Sequence, residues 1–277
     1  MTLPIADAGQ TGFTLDKFAQ HPFYQEVNRR LVALTNLKVG QRVVDLGAGT
    51  GAVTRLIAER VANNGAEVIA VEPSAPALED ARRNLENISG AVVRFIQGGA
   101  ERLTQLVKKP VDAVFFCNAI HLLSEKEHVL HEIQQTLRED GTFSFNTSFY
   151  MGAEPPEAEL FYRKWMMKAL RVLKGQYGLM PERTRVEARH RLTEDEYIQL
   201  LKENGFKVRD KEVMQVLMPL SGFEAISEYS LWIEGVLPGV PLKAGADALQ
   251  QGARMAFEEL GITESPRNWL LVVASRE

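Results

Sequence analysis

The sequence predicts an α/β fold in which a mostly parallel β-sheet is covered by helices on both faces. Between residues 41 and 147, short apolar runs rich in β-branched residues alternate with segments whose apolar residues recur every three or four positions. These are the patterns of buried strands and of amphipathic helices. A glycine cluster at residues 47–51 directly follows the first of these strands, at the place where open α/β sheets bind their ligands.

The first two strand–helix pairs follow from apolar spacing. Arg42–Leu46 is a β-branched strand, and Glu67–Glu72 is a second one. The helix between them has an apolar face formed by Val53, Leu56, Ile57 and Val61. A second helix is predicted over Pro76–Leu85, because proline is favoured at the first position of a helix.

Three more strands complete the first part of the sheet. They are predicted at Val92–Ile96, Val111–Phe116 and Gly141–Thr147. A long helix over Ser124–Leu137 precedes the last of them. Ser124 followed by Glu127 predicts a capping box at the start of this helix.

The pattern changes after Phe149, where Pro155-Pro156 marks a boundary. The predicted elements beyond it are a helix over Ala158–Lys174, a helix from Leu192 to a glycine stop at Gly205, a strand over Phe206–Met218, helices over Gly222–Gly235 and Leu242–Leu260, and a strand over Trp269–Ser275. The chain therefore divides into an N-terminal helical segment (1–40), the first half of the sheet domain (41–148), a helical insertion after the fifth strand (149–191), and a C-terminal half that completes the sheet (192–277).

Composition narrows the class of protein. The chain has 277 residues, 45% hydrophobic and 25% charged, and a net charge of −4, which is typical of a globular protein and disfavours nucleic-acid binding. Cys117 is the only cysteine, so disulfide frameworks and Cys-rich metal sites are excluded. No signal peptide or membrane helix is recognised in the sequence. We expect a soluble, cytoplasmic protein without a bound metal.

The glycine cluster allows two kinds of cofactor. Gly47-Ala48-Gly49-Thr50-Gly51-Ala52 fits the dinucleotide fingerprint G-x-G-x-x-G/A. However, Asp45 directly before it would repel a pyrophosphate. S-adenosylmethionine brings a cationic amino group and a sulfonium instead, which suit Asp45, and its ribose hydroxyls suit a second carboxylate, Glu72, at the end of the second strand.

Asp45-Leu46-Gly47-Ala48-Gly49-Thr50-Gly51 together with Glu72 resembles the class I S-adenosylmethionine-dependent methyltransferase family. The resemblance spans roughly residues 40–147. It implies a Rossmann-like, seven-stranded sheet whose last strand is inserted antiparallel. It also implies S-adenosyl-L-methionine as cofactor and methyl transfer as activity, and it makes residues 41–148 the cofactor-binding half of the domain.

The resemblance also implies a set of cofactor-binding residues. They are Asp45, Gly47, Ala48, Gly49, Gly51, Glu72, Pro73, Gly99, Ala100, Glu101, Asn118 and Ala119. In the family, a carboxylate after the third strand commonly meets the adenine amine, and here Gly99 stands at that position. Glu101 either takes over this role or only favours the helix N-terminus where it lies.

His121 follows the fourth strand closely and is the candidate catalytic residue. Imidazole titrates near neutral pH, so His121 could act as a general base. It could also orient the substrate, because methyl transfer to a nucleophilic atom often needs only alignment. Both roles stay open.

The insertion is expected to cover the acceptor site as a lid. The expected substrate-binding residues are His121, Phe149, Tyr150, Tyr162, Trp165 and Met166, which offer an apolar, adaptable wall. The alternative for the aromatic residues is that they only attach the insertion to the sheet.

These features predict a methyltransferase that acts on an O, N or C atom of a small, partly apolar metabolite. One alternative is a protein of the same fold that binds S-adenosylmethionine but catalyses a different reaction or regulates. An NAD-dependent oxidoreductase is disfavoured by Asp45. The expected partner is a small-molecule substrate, with a homodimer left open, and neither nucleic acid nor a membrane is expected.

Overall fold

A computed structural model of the chain describes residues 15–182 and 191–277, and their contacts divide them into two compact units. The sheet unit comprises Gln25–Tyr150, Leu192–Met214 and Trp269–Glu277. The helical unit comprises the described parts of Met1–Tyr24, Met151–Arg191 and Gln215–Asn268. Residues 1–14 and 183–190, which the sequence-based partition placed in the N-terminal segment and in the insertion, lie outside the described residues.

Seven strands form one sheet in the order β3-β2-β1-β4-β5-β7-β6. The strands are Arg42–Leu46 (β1), Glu67–Glu72 (β2), Val92–Gln97 (β3), Val111–Cys117 (β4), Leu137–Thr147 (β5), Phe206–Pro219 (β6) and Glu264–Arg276 (β7). Strands β1 to β5 pair in parallel, and β7 runs antiparallel to β5. This confirms the predicted Rossmann-like α/β fold with a seven-stranded, mostly parallel sheet and helices on both faces.

The register of the parallel strands brings their carboxyl ends together at one edge. Leu46 of β1 lies beside Val71 of β2, and Glu72 lies beside Gln97 of β3. Cys117 at the end of β4 lies beside Asn146 of β5. The side chains that follow these strand ends therefore lie along a common crevice, which is where open α/β sheets bind ligands.

Eleven α-helices lie within the described residues. They are Asp16–Ala19 (α1), Pro22–Thr35 (α2), Ala52–Val61 (α3), Ala75–Asn84 (α4), Leu103–Leu106 (α5), Lys126–Thr136 (α6), Glu159–Val172 (α7), Glu194–Glu203 (α8), Leu220–Ile226 (α9), Ser230–Val236 (α10) and Leu242–Leu260 (α11). Helix α8 has a capping box, in which the Thr193 hydroxyl accepts the backbone N–H of Glu196 and the Glu196 carboxylate accepts that of Thr193. The predicted glycine stop at Gly205 has a φ of 75°, a left-handed conformation that glycine adopts without strain.

The structure corrects two predicted elements. The capping box at Ser124 and Glu127 does not form, because helix α6 begins two residues later, after Glu125, and no side chain caps it. The single helix predicted over residues 222–235 is two helices, α9 and α10. Helix α9 ends where the Ser227 hydroxyl donates to the carbonyl of Phe223, and Tyr229 is extended.

The helical unit has a core of its own, formed where α7 packs on α11. A Cβ built on Gly252 of α11 would lie 2.7 Å from the backbone nitrogen of Ala169 in α7, so the glycine allows the two helices to approach closely. This long-range packing places residues 215–268 in the helical unit together with residues 151–182. The sequence-based partition had assigned all of residues 192–277 to the sheet, since local patterns do not show which helices pack together.

Candidate functional site

A carboxylate and the glycine loop meet at the end of β2. The Glu72 carboxylate accepts the backbone N–H of Gly49 over 2.9 Å and that of Ser74 over 3.0 Å. The side chain is largely buried, and burial raises the pKa of Glu72 while the two N–H groups lower it in part. Glu72 thus connects β2 to the glycine loop and brings an anionic group to the crevice.

The glycine loop is held against β2 and leaves space beside it. The backbone N–H groups of Gly47 and Ala48 both donate to the carbonyl of Val71, over 2.8 and 3.1 Å. Gly49 has a φ of 53°, and a Cβ built on it would meet no atom of the described residues within 4 Å. A Cβ on Gly51 would lie 2.8 Å from Leu85, so this glycine packs α3 against its neighbour. A ligand can therefore approach the loop backbone at Gly49.

Asp45 lies deeper than the sequence predicts. Its side chain is 1% exposed, and the Thr54 hydroxyl of α3 donates to it over 2.6 Å. Burial raises the pKa of Asp45 to about 7, an increase that the Thr54 hydrogen bond reduces and the nearby Glu72 charge enlarges. Thr54 in the first turn of α3 therefore contacts the buried carboxyl group, and the role of Asp45 in cofactor binding stays a prediction.

The turn after β3 brings a third carboxylate to the crevice. The Gly98 backbone N–H donates to the carbonyl of Glu72 over 3.1 Å. A Cβ built on Gly99 would overlap the Glu101 carboxylate, so the end of the Glu101 side chain occupies the space where a side chain of residue 99 would begin. Ala100 starts a short 3₁₀ turn that Glu101 continues, and the carbonyl of Pro73 accepts the side-chain amide of Gln97.

The segment after β4 lies against the glycine loop. A Cβ on Gly47 would lie 3.6 Å from the Cβ of Ala119. Asn118 has a φ of 50° and is buried. Its backbone N–H donates to Asn146 of β5, and its side-chain oxygen accepts the backbone N–H of Ser148 over 3.1 Å. These bonds fix the backbone that leads to His121.

His121 is held by two residues at the end of β5. Its Nδ1 lies 3.1 Å from the hydroxyl oxygen of Thr147. Its ring stacks on Phe149, with ring centroids 4.1 Å apart and planes inclined by 26°. The imidazole is therefore fixed in both position and plane.

Part of the chain that carries this site is similar to a known protein family. Residues 43–141, which carry β1 to β4, the glycine loop, Glu72 and His121, match the family described as Methyltransferase domain. This segment of the chain is similar to the class I S-adenosylmethionine-dependent methyltransferase family. The chain spans about half the length of the curated relatives it matches.

One relative is similar to part of the chain in sequence, and two solved structures are similar to it in fold. A Legionella pneumophila ubiquinone/menaquinone biosynthesis C-methyltransferase, UbiE, is 27% identical over 135 residues, which are 46% of this chain and 52% of the relative. BH2331 of Bacillus halodurans, a candidate methyltransferase, superposes with a TM-score of 0.59 at 16% identity, covering 90% of this chain and 98% of BH2331. The [4+2]-cyclase SpnF superposes with a TM-score of 0.54 at 15% identity, covering 91% and 81%. The two structures share the fold.

The predicted site residues fall into two groups. The cofactor residues, His121, Phe149 and Tyr150 belong to the sheet unit, whereas Tyr162, Trp165 and Met166 belong to helix α7 of the helical unit. Trp165 is fully buried there, and its indole N–H donates to the carbonyl of Leu249 over 2.7 Å. That packing favours the alternative in which Trp165 is a core residue, and substrate contact by α7 stays a prediction.

Three residues of the candidate site are missing from the sequence-based prediction. Thr54 pairs with Asp45, Ser74 donates to Glu72, and Thr147 contacts His121. Thr54 lies nine residues after Asp45, in the first turn of the next helix, where a hydroxyl can reach back to the strand end. Thr147 is the last residue of β5, so its place at a strand end could have identified it from the sequence.

No helix within residues 15–182 and 191–277 has the length and apolar character needed to cross a membrane. Within the same residues, no group of three or more His, Cys, Asp and Glu side chains is arranged to hold a metal ion.

Proposed function

We propose that this chain binds S-adenosyl-L-methionine in the crevice of the sheet unit and transfers its methyl group to a small, partly apolar molecule. The observation that carries the proposal is the contact of the Glu72 carboxylate with Gly49, beside the open space at that glycine. Each oxygen of this carboxylate has a further lone pair, which can accept a hydrogen bond from a ribose hydroxyl. When bound, S-adenosylmethionine supplies an electrophilic methyl group on a sulfonium.

The residues around this contact fit the rest of the same ligand. Asp45 and Glu72 give the crevice a negative character that suits a cationic amino group and disfavours a pyrophosphate. The Glu101 carboxylate lies where a side chain of residue 99 would be. This position of the carboxylate supports the proposal that Glu101 accepts a hydrogen bond from the adenine amine. Asn118 and Ala119 would contact the methionine end of the ligand.

The acceptor is proposed from one relative. The Legionella protein is named for C-methylation in ubiquinone and menaquinone biosynthesis, which makes hydroxylated aromatic rings the first acceptor class to test. Tyr150, Phe149 and His121 would meet the acceptor at the ends of β4 and β5. Methyl transfer to an O or N atom of another small metabolite stays within the proposal.

Isothermal titration calorimetry with S-adenosylmethionine, S-adenosylhomocysteine and NADH tests the cofactor. We expect the two sulfur ligands to bind and NADH not to bind. Glu72→Ala should weaken the affinity about ten- to hundredfold, because it removes hydrogen bonds to a charged group worth about 1.5–3 kcal/mol. Glu59→Ala, an exposed position of α3, is the matched control. Binding of NADH without S-adenosylmethionine would overturn the proposal.

A second measurement tests methyl transfer itself. The protein is incubated with methyl-labelled S-adenosylmethionine and either a panel of hydroxylated aromatic compounds or a metabolite extract, and labelled products are identified by mass spectrometry. A labelled acceptor formed together with S-adenosylhomocysteine supports the proposed function. Cofactor binding without any labelled product would favour the non-methylating alternative.

A further inference from the structure

The side chain of Asn118, directly after strand β4, has a fixed orientation. Only 6% of the residue is exposed. Its Oδ1 accepts the backbone N–H of Ser148 over 3.1 Å and the Ser148 hydroxyl over 3.3 Å. A backbone N–H can only donate, so the amide atom that faces it must be the oxygen. The NH₂ group of Asn118 is consequently turned away from Ser148.

The backbone of Asn118 is fixed as well. Its N–H donates to the carbonyl and to the side-chain oxygen of Asn146, over 2.9 and 3.0 Å. The Asn146 amide in turn donates to Asn28 of α2 over 2.8 Å. The φ of Asn118 is 50°, a conformation that glycine adopts with the least strain. A strained residue held this firmly is a reason to look for a function of its side chain.

The NH₂ group of Asn118 has hydrogen-bonding capacity that the protein leaves unused. Residues 15–182 and 191–277 offer no acceptor to Nδ2, and the side-chain bonds of this amide both end on its oxygen. The enclosed side-chain atoms without a partner in these residues do not include Nδ2, so the NH₂ group borders open space. Its two N–H donors are available to a ligand.

The order of the strands indicates which ligand these donors meet. Asp45 belongs to β1 and Glu72 ends β2, so in the order β2-β1-β4-β5 both carboxylates lie on one side of β4. Ser148 follows β5, on the other side. The carboxylates suit the ribose and the amino group of the proposed cofactor, whereas an N–H donor suits neither an ammonium nor a sulfonium group. The donors of Asn118 thus lie where the methyl acceptor is proposed to bind.

We propose that the side chain of Asn118 donates a hydrogen bond to the methyl acceptor, and that the acceptor carries a phenolic, enolic or carbonyl oxygen at its reacting end. This inference rests on the proposed function for the presence of a methyl acceptor. It assigns to the side chain a role distinct from the cofactor contact proposed for residue 118, which the backbone can make.

The same geometry disfavours amines as acceptors. Because both bonds of Oδ1 go to Ser148, Asn118 has no oxygen lone pair for an amine N–H. An amine that accepts from Nδ2 uses the lone pair it needs for attack. In methyl transfer the attacking atom forms a bond to the methyl carbon while the C–S bond breaks with its electron pair staying on sulfur, and the acceptor proton goes to water. An oxygen has a second lone pair, so it can accept from Asn118 and still take part in this reaction.

Binding of three small aromatic probes tests the inference without methyl transfer. Acetophenone accepts hydrogen bonds, α-methylstyrene has the same shape without the oxygen, and 4-methylaniline donates them. Their affinities for the full chain are measured by NMR titration, with and without S-adenosylhomocysteine. We expect the wild type to bind acetophenone about fivefold more tightly than the other two, the usual value of one neutral hydrogen bond. Equal affinities for the three probes, or binding of none, would overturn the inference.

Asn118→Gly removes the amide and suits the backbone conformation, so we expect a folded protein. Its preference for acetophenone should fall below about twofold, while its affinity for S-adenosylmethionine stays within about threefold of the wild type. Asn64→Gly is the matched control, because Asn64 is exposed and has a φ of 52°. The carboxylate of S-adenosylmethionine is the other oxygen that could accept from Nδ2. A loss of cofactor affinity with an unchanged probe preference would place the bond there and overturn the inference.

Asn118→Asp gives a result that misfolding cannot imitate. The aspartate keeps an oxygen for Ser148 and replaces the NH₂ group by a second oxygen. At about pH 9, where the new carboxyl group is ionised, we expect the variant to bind 4-methylaniline more tightly than acetophenone, the reverse of the wild type. An unreversed order would overturn the inference. A wild type that shows the probe preference but does not bind S-adenosylmethionine would instead contradict the proposed function.

Discussion

Burial raises the pKa of Asp45 to about 7, so this carboxyl group titrates near neutral pH instead of near its ordinary value of 3.8. Between these two pH values the folded chain holds a proton that the unfolded chain has released. Asp45 therefore makes its most favourable contribution to stability below about pH 4. That contribution falls as the pH rises to about 7 and is constant above it.

Asp45→Asn removes this titration. We expect the free energy of unfolding of the wild type, relative to that of the variant, to fall by up to ~1.4 kcal/mol per pH unit between about pH 4 and pH 7. Denaturant unfolding of both proteins at several pH values measures the difference, with Glu59→Gln as an exposed control. A constant difference across this range would show that the Asp45 carboxyl group is already ionised at low pH.

The same residue links pH to ligand binding. A cationic amino group beside Asp45 favours the ionised carboxylate, so the affinity for S-adenosylmethionine should increase between about pH 5.5 and pH 7.5 in the wild type. Asp45→Asn should bind more weakly and with a flatter pH dependence. Calorimetry at several pH values checks this. An identical pH dependence in the variant would show that Asp45 does not interact with the ligand and only accepts the hydrogen bond from Thr54.

Glu101 is the residue whose role the sequence leaves open, and position 99 offers a way to test it. We expect Glu101→Ala to weaken S-adenosylmethionine binding about tenfold, the value of one hydrogen bond to a charged group. Gly99→Asp added to that variant should restore part of the affinity, since the φ of Gly99 is −92°, which any residue adopts, and the Glu101 side chain is no longer in the way. Calorimetry on the single and double variants measures these affinities. An unchanged affinity in Glu101→Ala would show that Glu101 does not contact the ligand and acts only at the start of the turn.

At the scale of elements, the capping box predicted from the sequence does not form, whereas the structure contains one that the sequence analysis did not predict. Thr193 and Glu196 form one, and Ser124 and Glu127 do not. We expect Thr193→Ala to reduce the free energy of unfolding by about 1 kcal/mol, the usual value of an N-cap. Ser124→Ala is the matched control and should change it by less than about 0.5 kcal/mol. Equal effects in chemical denaturation would contradict the assigned start of helix α6.

Strands and helices were predictable where a local pattern alone determines them. Strands β1 and β2 match the predicted bounds because each is a β-branched run buried on both faces, and α11 matches because its apolar periodicity continues over the whole helix. The start of α6 and the break between α9 and α10 were not predictable. Both depend on how the chain leaves a preceding turn, which the apolar spacing of neighbouring residues does not record.

The candidate site shows the same limit. The strand ends identified Asp45 and Glu72, because the ends of parallel strands meet at one edge. The partners Thr54 and Thr147 come from other elements, so only the folded chain shows that their hydroxyl groups reach Asp45 and His121. The Thr54 hydroxyl partly lowers the pKa that burial raises at Asp45, an effect that the apolar spacing of the sequence does not record.

At the scale of the whole molecule, Trp165 distinguishes a lid from a second core. Because the side chain is fully buried and hydrogen-bonded to α11, we expect Trp165→Ala to cost about 3–5 kcal/mol. Hydrogen exchange should accelerate in α7 and α11 more than in β1 and β4. Thermal unfolding with exchange measured by mass spectrometry checks this.

Met167 of the same helix is 55% exposed and provides the control, since Met167→Ala removes a side chain that has little packing to lose. An unchanged melting temperature in Trp165→Ala, together with a higher KM for the acceptor, would support the lid instead. The affinity for S-adenosylmethionine, measured at a temperature where both variants are folded, separates damage to the sheet unit from damage to α7.

The position of β7 in the sheet has a consequence for biosynthesis. Strand β7 begins at Glu264 yet lies between β5 and β6, so β6 has no neighbour in the sheet until β7 has been translated. During translation, strands β1 to β5 can pair with one another before β7 has been made, while both edges of β6 remain unpaired. An exposed strand of this length is a typical chaperone substrate. Because of this order of synthesis, we expect misassembly to occur while residues after β5 are being made, and not while β1 to β5 are forming.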